Sequence, residues 1–172
     1  MTTTIDELRF RINALRAKSR RKEVAEIAFA LEYLSLTVSP PLPGDIFSLY
    51  LEVFSDPLIF SRKDIEGFIS GIYNDFEKLS IDQKGILLEA LVNNSKGYDG
   101  EKLRFSVGDM IARKYSVQVA LDAFRRMWAS GEKNSRFIAQ FGADVLSLSL
   151  PKDGEDRNEL RKFEREIDLK EK

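Results

Sequence analysis

Apolar residues recur at steps of three and four along most of this chain of 172 residues. The first series follows Thr4 and Glu7, which match the capping-box pattern of a helix start, and it consists of Ile5, Leu8, Ile12 and Leu15. Residues three or four apart share one face of an α-helix, whereas strand residues alternate between two faces. The spacing therefore predicts a succession of amphipathic helices and an all-α fold.

A second helix is predicted over about residues 20–36. This segment is apolar around much of its circumference, and helices of that kind are surrounded by protein. We therefore expect it at the centre of the fold. It ends before VSPPLPG, residues 38–44, because three prolines and a glycine cannot continue a helix.

The most regular amphipathic pattern lies between residues 61 and 77. Ser61 and Asp64 resemble the start of a helix. One face of the predicted helix is apolar and consists of Ile65, Phe68, Ile69, Ile72, Tyr73 and Phe76. The opposite face is polar and consists of Glu66, Ser70, Asn74 and Glu77.

More helices are predicted downstream, where Ser80 and Ser116 match N-cap residues. The helix that follows Ser80 should bury Ile86, Leu87, Ala90 and Leu91. Residues 145–150 alternate leucine and serine in a strand-like manner. Since no partner strand is evident, we interpret them as the end of a helix that begins near Ser135.

The last segment, residues 155–172, differs in composition, because thirteen of its eighteen residues are charged. Its apolar residues form one narrow seam of Leu160, Phe163 and Ile167. The segment is either a helix that docks through this seam or a partly disordered tail. We therefore divide the chain into a helical domain over residues 1–154 and a highly charged C-terminal helix or tail over residues 155–172.

Eight or nine short antiparallel helices in a single compact domain are expected, because the connections between them are short. Helix pairs recur at an interval of roughly 34–47 residues, which is typical of helical repeats. The layout over about residues 44–150 therefore loosely resembles a HEAT-like helical array, with an irregular bundle as the alternative. No residue pattern repeats in register, so the resemblance assigns no family.

The chain contains no histidine and no cysteine. Their absence excludes disulfides, thiolate metal sites and catalytic sites that depend on imidazole or thiol groups. We therefore expect a protein that is not an enzyme and that uses no cofactor and no metal. An enzyme that works through carboxylates, lysine or tyrosine remains a third hypothesis.

Charge is unevenly distributed along the chain, although the net charge is −1. Residues 41–100 carry ten acidic and five basic side chains, which gives this segment a net charge of −5. An acidic surface attracts and orients a basic protein partner. The predicted partner-binding residues are Asp45, Asp56, Asp64, Glu66, Ser70, Asn74 and Glu77.

The leading hypothesis is a non-enzymatic protein-binding module. One concrete form is a small inhibitor or toxin-immunity protein that neutralises a basic toxin or enzyme through this acidic helical face. We expect a cytoplasmic location, since the first residues lack the apolar core of a signal peptide. We expect no membrane partner, since no stretch approaches the roughly 20 apolar residues of a membrane span. The oligomeric state stays open.

The alternative is a nucleic-acid-associated regulator, because clustered cations contact phosphates. The candidate cluster is a basic run of Arg16, Lys18, Arg20, Arg21 and Lys22. The same run is also typical of a solvated corner between two helices. We favour the corner and consider nucleic acid the less suitable partner, because glutamates follow closely and no aromatic residues are interleaved with the cations.

Overall fold

The computed structural model describes residues 3–17 and 21–170. All regular secondary structure in this part of the chain is helical, with ten α-helices and two short 3₁₀ turns, Phe76–Lys78 and Ser95–Gly97. The α-helices are α1 Ile5–Ala14, α2 Arg21–Leu36, α3 Gly44–Ser55, α4 Pro57–Phe60, α5 Glu66–Asn74, α6 Ile81–Asn94, α7 Glu101–Lys114, α8 Val117–Ala129, α9 Lys133–Ser149 and α10 Glu155–Lys170.

The all-α prediction is confirmed, and the helices are arranged in two rows. Helices α2, α5, α7 and α9 lie side by side in one row, and α3, α6, α8 and α10 lie side by side in the other. Helix α1 contacts both α2 and α3 at one end of the rows. Apolar side chains between the rows form one continuous core. The rows give each helix neighbours on several sides, so helices of nine to seventeen residues are stabilised by packing rather than by length.

Helix starts follow the predicted capping residues in three places. The Thr4 hydroxyl accepts a hydrogen bond from the Glu7 backbone N–H at 3.2 Å. Ser80 and Gln83 form a complete capping box at the start of α6. The Ser116 hydroxyl accepts a hydrogen bond from a backbone N–H of α8. These side chains satisfy backbone donors that the first turn of a helix leaves without a partner.

The predicted central position of the second helix is wrong. Helix α2 lies at the end of its row and exposes Phe29, Tyr33 and Leu36, each more than 60% accessible. The opposite face is buried and includes Ser35, whose hydroxyl donates a hydrogen bond to the buried carboxylate of Asp75. Composition therefore suggested burial on all sides, whereas the neighbouring helices cover one side only.

Two local predictions in the central segment are also wrong. Helix α5 begins at Glu66, because Asp64 adopts a left-handed backbone conformation with φ of 61°, which interrupts a helix. Ser61 ends the preceding short helix α4 instead of starting α5. In α6, Ile86 is half exposed and Leu88 is buried in its place.

The C-terminal half contains no strand among its described residues. Residues 145–149 continue α9, as predicted, and the chain leaves the helix at Leu150. The charged segment forms α10, and its apolar seam of Leu160, Phe163 and Ile167 is buried against α8 and α9. The seam is therefore part of the common core.

Helix α9 approaches its neighbours closely at two glycines. A Cβ atom on Gly142 would overlap the ring of Phe124 in α8, 2.7 Å from its Cε2 atom. A Cβ atom on Gly108 in α7 would lie 3.1 Å from the carbonyl oxygen of Ile138. Each contact is closer than a methyl group allows. Small residues are therefore required where α9 meets α7 and α8.

Alanine substitution at two glycines should change stability in opposite directions. We expect Gly142→Ala to lower the free energy of unfolding by about 1–3 kcal/mol, because the added methyl group overlaps Phe124 in a filled core. Gly85→Ala should raise it by roughly 0.5–1 kcal/mol, because Gly85 lies inside α6 with open space around it. Urea denaturation of both variants checks this, and equal effects would contradict the described packing.

Three tyrosines contribute hydroxyl groups to the interior. Burial raises the pKa of Tyr98, Tyr115 and Tyr50, and the negative charge of Asp75 adds to the effect at Tyr50. The Tyr98 hydroxyl donates to the carbonyl of Phe54 at 2.7 Å. The Tyr115 hydroxyl donates to the carbonyl of Lys84 at 2.6 Å. The folded chain therefore holds these phenolic protons more tightly than the unfolded chain does.

Stability should decline in alkaline solution. Above pH of about 10 the unfolded chain releases the three phenolic protons while the folded chain keeps them, so the free energy of unfolding falls as the pH rises. Each tyrosine contributes up to about 1.4 kcal/mol per pH unit. Denaturation at a series of pH values measures this slope, which Tyr98→Phe should reduce. A free energy of unfolding that stays constant above pH of about 10 would contradict it.

Candidate functional site

A surface groove runs between α5 and α7. It consists of two adjoining cavities of about 550 and 450 Å³, which share Phe105 as a lining residue. The first cavity lies at the N-terminal ends of the two helices and includes Leu103. The second lies farther along the helices and includes Tyr73 and Phe141. We refer to these two cavities together as the α5–α7 groove.

Four of the seven predicted partner-binding residues line this groove. Asp64 and Glu66 belong to the first cavity, and Ser70 and Asn74 belong to the second. Helical periodicity places Glu66, Ser70 and Asn74 on one face of α5, because successive members are four residues apart. The structure brings this predicted polar face together with the aromatic side chains of α7 and α9.

The other three predicted residues lie outside the groove. Asp45 is exposed in the first turn of α3, where its carboxylate accepts a hydrogen bond from the backbone N–H of Ile46 at 2.9 Å. Asp56 caps α4 and is paired with Arg16. Glu77 is exposed on the 3₁₀ turn that follows α5. Sequence distance is a poor guide to which acidic residues share a surface.

Phe105 and Phe141 give the groove an aromatic wall, which Phe137 supports from outside the two cavities and which the sequence pattern did not reveal. Phe105 makes edge-to-face contacts with Phe137 and Phe141, with ring centroids 5.2 and 4.6 Å apart. Across the groove, the ammonium of Lys114 lies 4.3 Å from the ring centroid of Tyr73. Phe137 and Phe141 are one helical turn apart in α9, and that spacing was the available signal. It did not show that a third ring from α7 completes the cluster.

Charges along the groove have both signs, and several are paired within the chain. Asp109 forms an ion pair with Arg113 at 2.8 Å. The Asn74 amide donates to the carboxylate of Glu32 at 2.8 Å. Glu66 takes part in none of the ion pairs formed between residues 3–17 and 21–170. Its carboxylate is therefore available to a partner, as is that of Glu101, an exposed residue that also lines the first cavity and takes part in none of these pairs.

Two members of the basic run, Arg16 and Lys22, have described side chains, and both contact acidic side chains. Arg16 is held by two acidic side chains, with Glu52 at 3.0 Å and Asp56 also in hydrogen-bond contact. Lys22 is exposed and lies 3.5 Å from Glu26. The predicted contacts Lys18 and Arg20, and the side chain of Arg21, lie outside the described residues.

A cation outside the basic run, Arg62, fixes the end of α1. Arg62 follows α4, and its Nε and Nη2 atoms donate to the backbone carbonyls of Leu15 and Arg16 at 2.7 and 2.8 Å. These carbonyls lie at the end of α1, where backbone acceptors have no partner within the helix. Arg62 therefore connects the groove to the end of α1, because it also lines the first cavity.

Removal of this anchor should destabilise the fold. We expect Arg62→Ala to lower the free energy of unfolding by about 1–3 kcal/mol, because two carbonyls lose a charged donor. Lys63→Ala is the matched control, since Lys63 is the next residue and is exposed. It should change the free energy of unfolding by less than about 0.5 kcal/mol. Equal effects of both substitutions in urea denaturation would refute the anchoring role.

Two further arginines, Arg125 and Arg126, form ion pairs with acidic side chains of the same chain. Arg126 and Glu89 form a two-pronged ion pair at 2.6 and 2.9 Å. The Arg125 guanidinium lies within 4 Å of Asp122, Glu159 and Glu166. These pairs connect α8 to α6 and to α10, so both cations serve contacts inside the molecule.

The described helices include none with the length and apolar character that crossing a bilayer requires. Within the same residues, no group of three or more acidic side chains is arranged to hold a metal ion. Comparison with family models, with curated proteins and with solved structures found no match for this chain.

Proposed function

We propose that this chain is a non-enzymatic protein-binding module and that the α5–α7 groove is its contact surface. The observation that carries the proposal is the aromatic wall of Phe105 and Phe141 beside an exposed polar helix face. Rigid aromatic side chains next to a cavity are the usual anchor points of protein interfaces.

The groove also has the two components that a specific contact needs. Its aromatic side supplies apolar surface, and the facing side of α5 supplies Glu66, Ser70 and Asn74. A partner with an apolar side chain flanked by a lysine or arginine would complement both sides. The carboxylate of Glu66 would pair with that cation, and charge complementarity would orient the partner.

The finer proposal is a small inhibitor or toxin-immunity protein that neutralises a basic toxin or enzyme. Its support is the net charge of −5 over residues 41–100 together with the position of Asp64 and Glu66 beside the first cavity. Of the predicted acidic residues, Asp56 is paired with Arg16 inside the chain, so the acidic surface offered to a partner is smaller than the sequence predicted.

Two substitutions test shape and charge separately. Ser70→Trp should block the second cavity, and Glu66→Lys should repel a basic partner. The partner is first captured from the source organism and purified. Each substitution should weaken its affinity by about tenfold or more, as loss of a central contact does. Isothermal titration calorimetry with the purified partner measures the affinity.

Asp168→Lys serves as the control, because Asp168 is an exposed acidic residue on α10 that lines none of the groove. The control should bind as the wild type does. A partner that binds all three variants equally would place the contact elsewhere. If Ser70→Trp weakens binding and Glu66→Lys does not, the groove is supported as the contact surface and the hypothesis of a basic partner is refuted.

The nucleic-acid alternative receives less support from the geometry. Arg16 is held by Glu52 and Asp56, and Arg125 and Arg126 are paired with acidic residues. A shift of the protein in an electrophoretic assay with DNA or RNA at low salt, lost on neutralising Arg20, Arg21 and Lys22, would restore this alternative.

A further inference from the structure

A third cavity, which we call the cationic cavity, lies at the start of α9 and includes Phe137 in its lining. Its volume is about 390 Å³, and three of its lining side chains are the cations Arg104, Lys133 and Arg136. Trp128 and Asn134 complete the wall. No carboxylate is among the lining residues. Such a concentration of one charge in a concave site favours a ligand of the opposite charge.

Two of the cations are fixed in position by aromatic rings. The Arg136 guanidinium lies 4.9 Å from the ring centroid of Trp128, and its Nε donates to the Trp128 carbonyl at 3.3 Å. The Arg104 guanidinium lies 4.8 Å from the ring centroid of Phe137. Both arginines are therefore oriented before any ligand arrives, which lowers the entropy cost of binding.

None of these cations is neutralised by an acidic side chain within the described residues. Arg104 donates only to uncharged oxygens, at Tyr98, Asp99 and Asn134, and the first two are backbone carbonyls. The carboxylate of Asp99 accepts a hydrogen bond from Asn134 at 2.9 Å and is not part of the cavity wall. The positive charge of the site is thus left for an external anion.

Two residues of the cavity lining, Arg104 and Trp128, carry buried N–H groups that lack an acceptor in the described part of the chain. These groups are the Nε of Arg104 and the indole Nε1 of Trp128, a residue that is only 4% exposed. Buried donors in folded proteins are nearly always paired. A ligand oxygen that enters the cavity, with a small shift of the overlying side chains, would supply the missing acceptor.

The backbone adds to the same field. Helix α9 is seventeen residues long, and its N-cap, Glu132, makes no side-chain capping bond. The first N–H groups of the helix therefore remain as donors, at the end of the helix that carries partial positive charge. The three cations and the first turn of α9 therefore meet at one cavity, and two of its lining residues carry the buried donors.

We infer that this cavity binds the phosphate group of a small molecule. A phosphate offers several strong acceptor oxygens and up to two negative charges, which match the number of cations and donors better than a single carboxylate does. The inference goes beyond the proposed protein-binding function and does not depend on it.

The chain contains a single tryptophan, which gives the site its own reporter. In a proton–nitrogen NMR spectrum of the full chain, titration with inorganic phosphate should move the Trp128 indole resonance saturably, whereas sodium chloride at equal ionic strength should not. Adenosine monophosphate is the second titrant. Tighter binding of the monophosphate identifies a phosphate ester as the ligand, and equal binding identifies free phosphate; both results support the site.

Variants separate this site from general charge attraction. Lys133→Gln and Arg136→Gln should each weaken phosphate binding at least about threefold, as expected for the loss of one cation near a solvent-accessible anion. Lys152→Gln is the control, because Lys152 is an exposed cation beyond the opposite end of α9. If Arg136→Gln does not fold, Lys133→Gln alone decides, since Lys133 is exposed. Absence of a saturable shift with either titrant overturns the inference, as does equal binding by Lys133→Gln and the control, which would indicate an adventitious ion only.

Discussion

The close approach of α9 to its neighbours is the constraint on which the rest of this fold depends. Gly142 leaves room for the ring of Phe124, and Gly108 brings the backbone of α7 next to that of α9. Interiors are filled to the density of organic crystals, so a single methyl group at either contact would force helices apart. The position of α7 follows from this contact, and α5 in turn packs on α7.

The aromatic wall is a consequence of that spacing. Phe141 lies 3.0 Å from the position a Gly108 side chain would take, and the ring of Phe105 packs on it from the preceding turn of α7. Phe137 extends the cluster toward the start of α9. Phe105 and Phe141 line the α5–α7 groove and Phe137 lines the cationic cavity, so the same packing contributes to both candidate sites.

Ion pairs inside the molecule decide which charges remain for function. The acidic surplus of residues 41–100 is reduced locally, because Asp56 binds Arg16 and the buried Asp75 accepts from Ser35 and lies 3.5 Å from Lys78. The positive charge of the basic run is reduced in the same way, because Arg16 is paired with Glu52 and Asp56. A buried carboxylate needs such partners, because burial without them is costly. Counts of charge along the sequence therefore overstate the charge that a partner meets.

The sequence by itself determined that the chain is helical and that helices start after Thr4, Ser80 and Ser116. It also determined that Leu160, Phe163 and Ile167 form one apolar seam. Capping and helical periodicity depend on residues that are close together in the chain, so both can be read from the sequence. It also placed Glu66, Ser70 and Asn74 on one face. Only the tertiary structure decided that α2 lies at the end of its row and that Asp56 forms an ion pair with Arg16. It also decided that Phe105 packs against Phe137 and Phe141. These outcomes depend on contacts between residues 30 to 40 positions apart, and the order in which helices pack is not encoded in the period of any one helix.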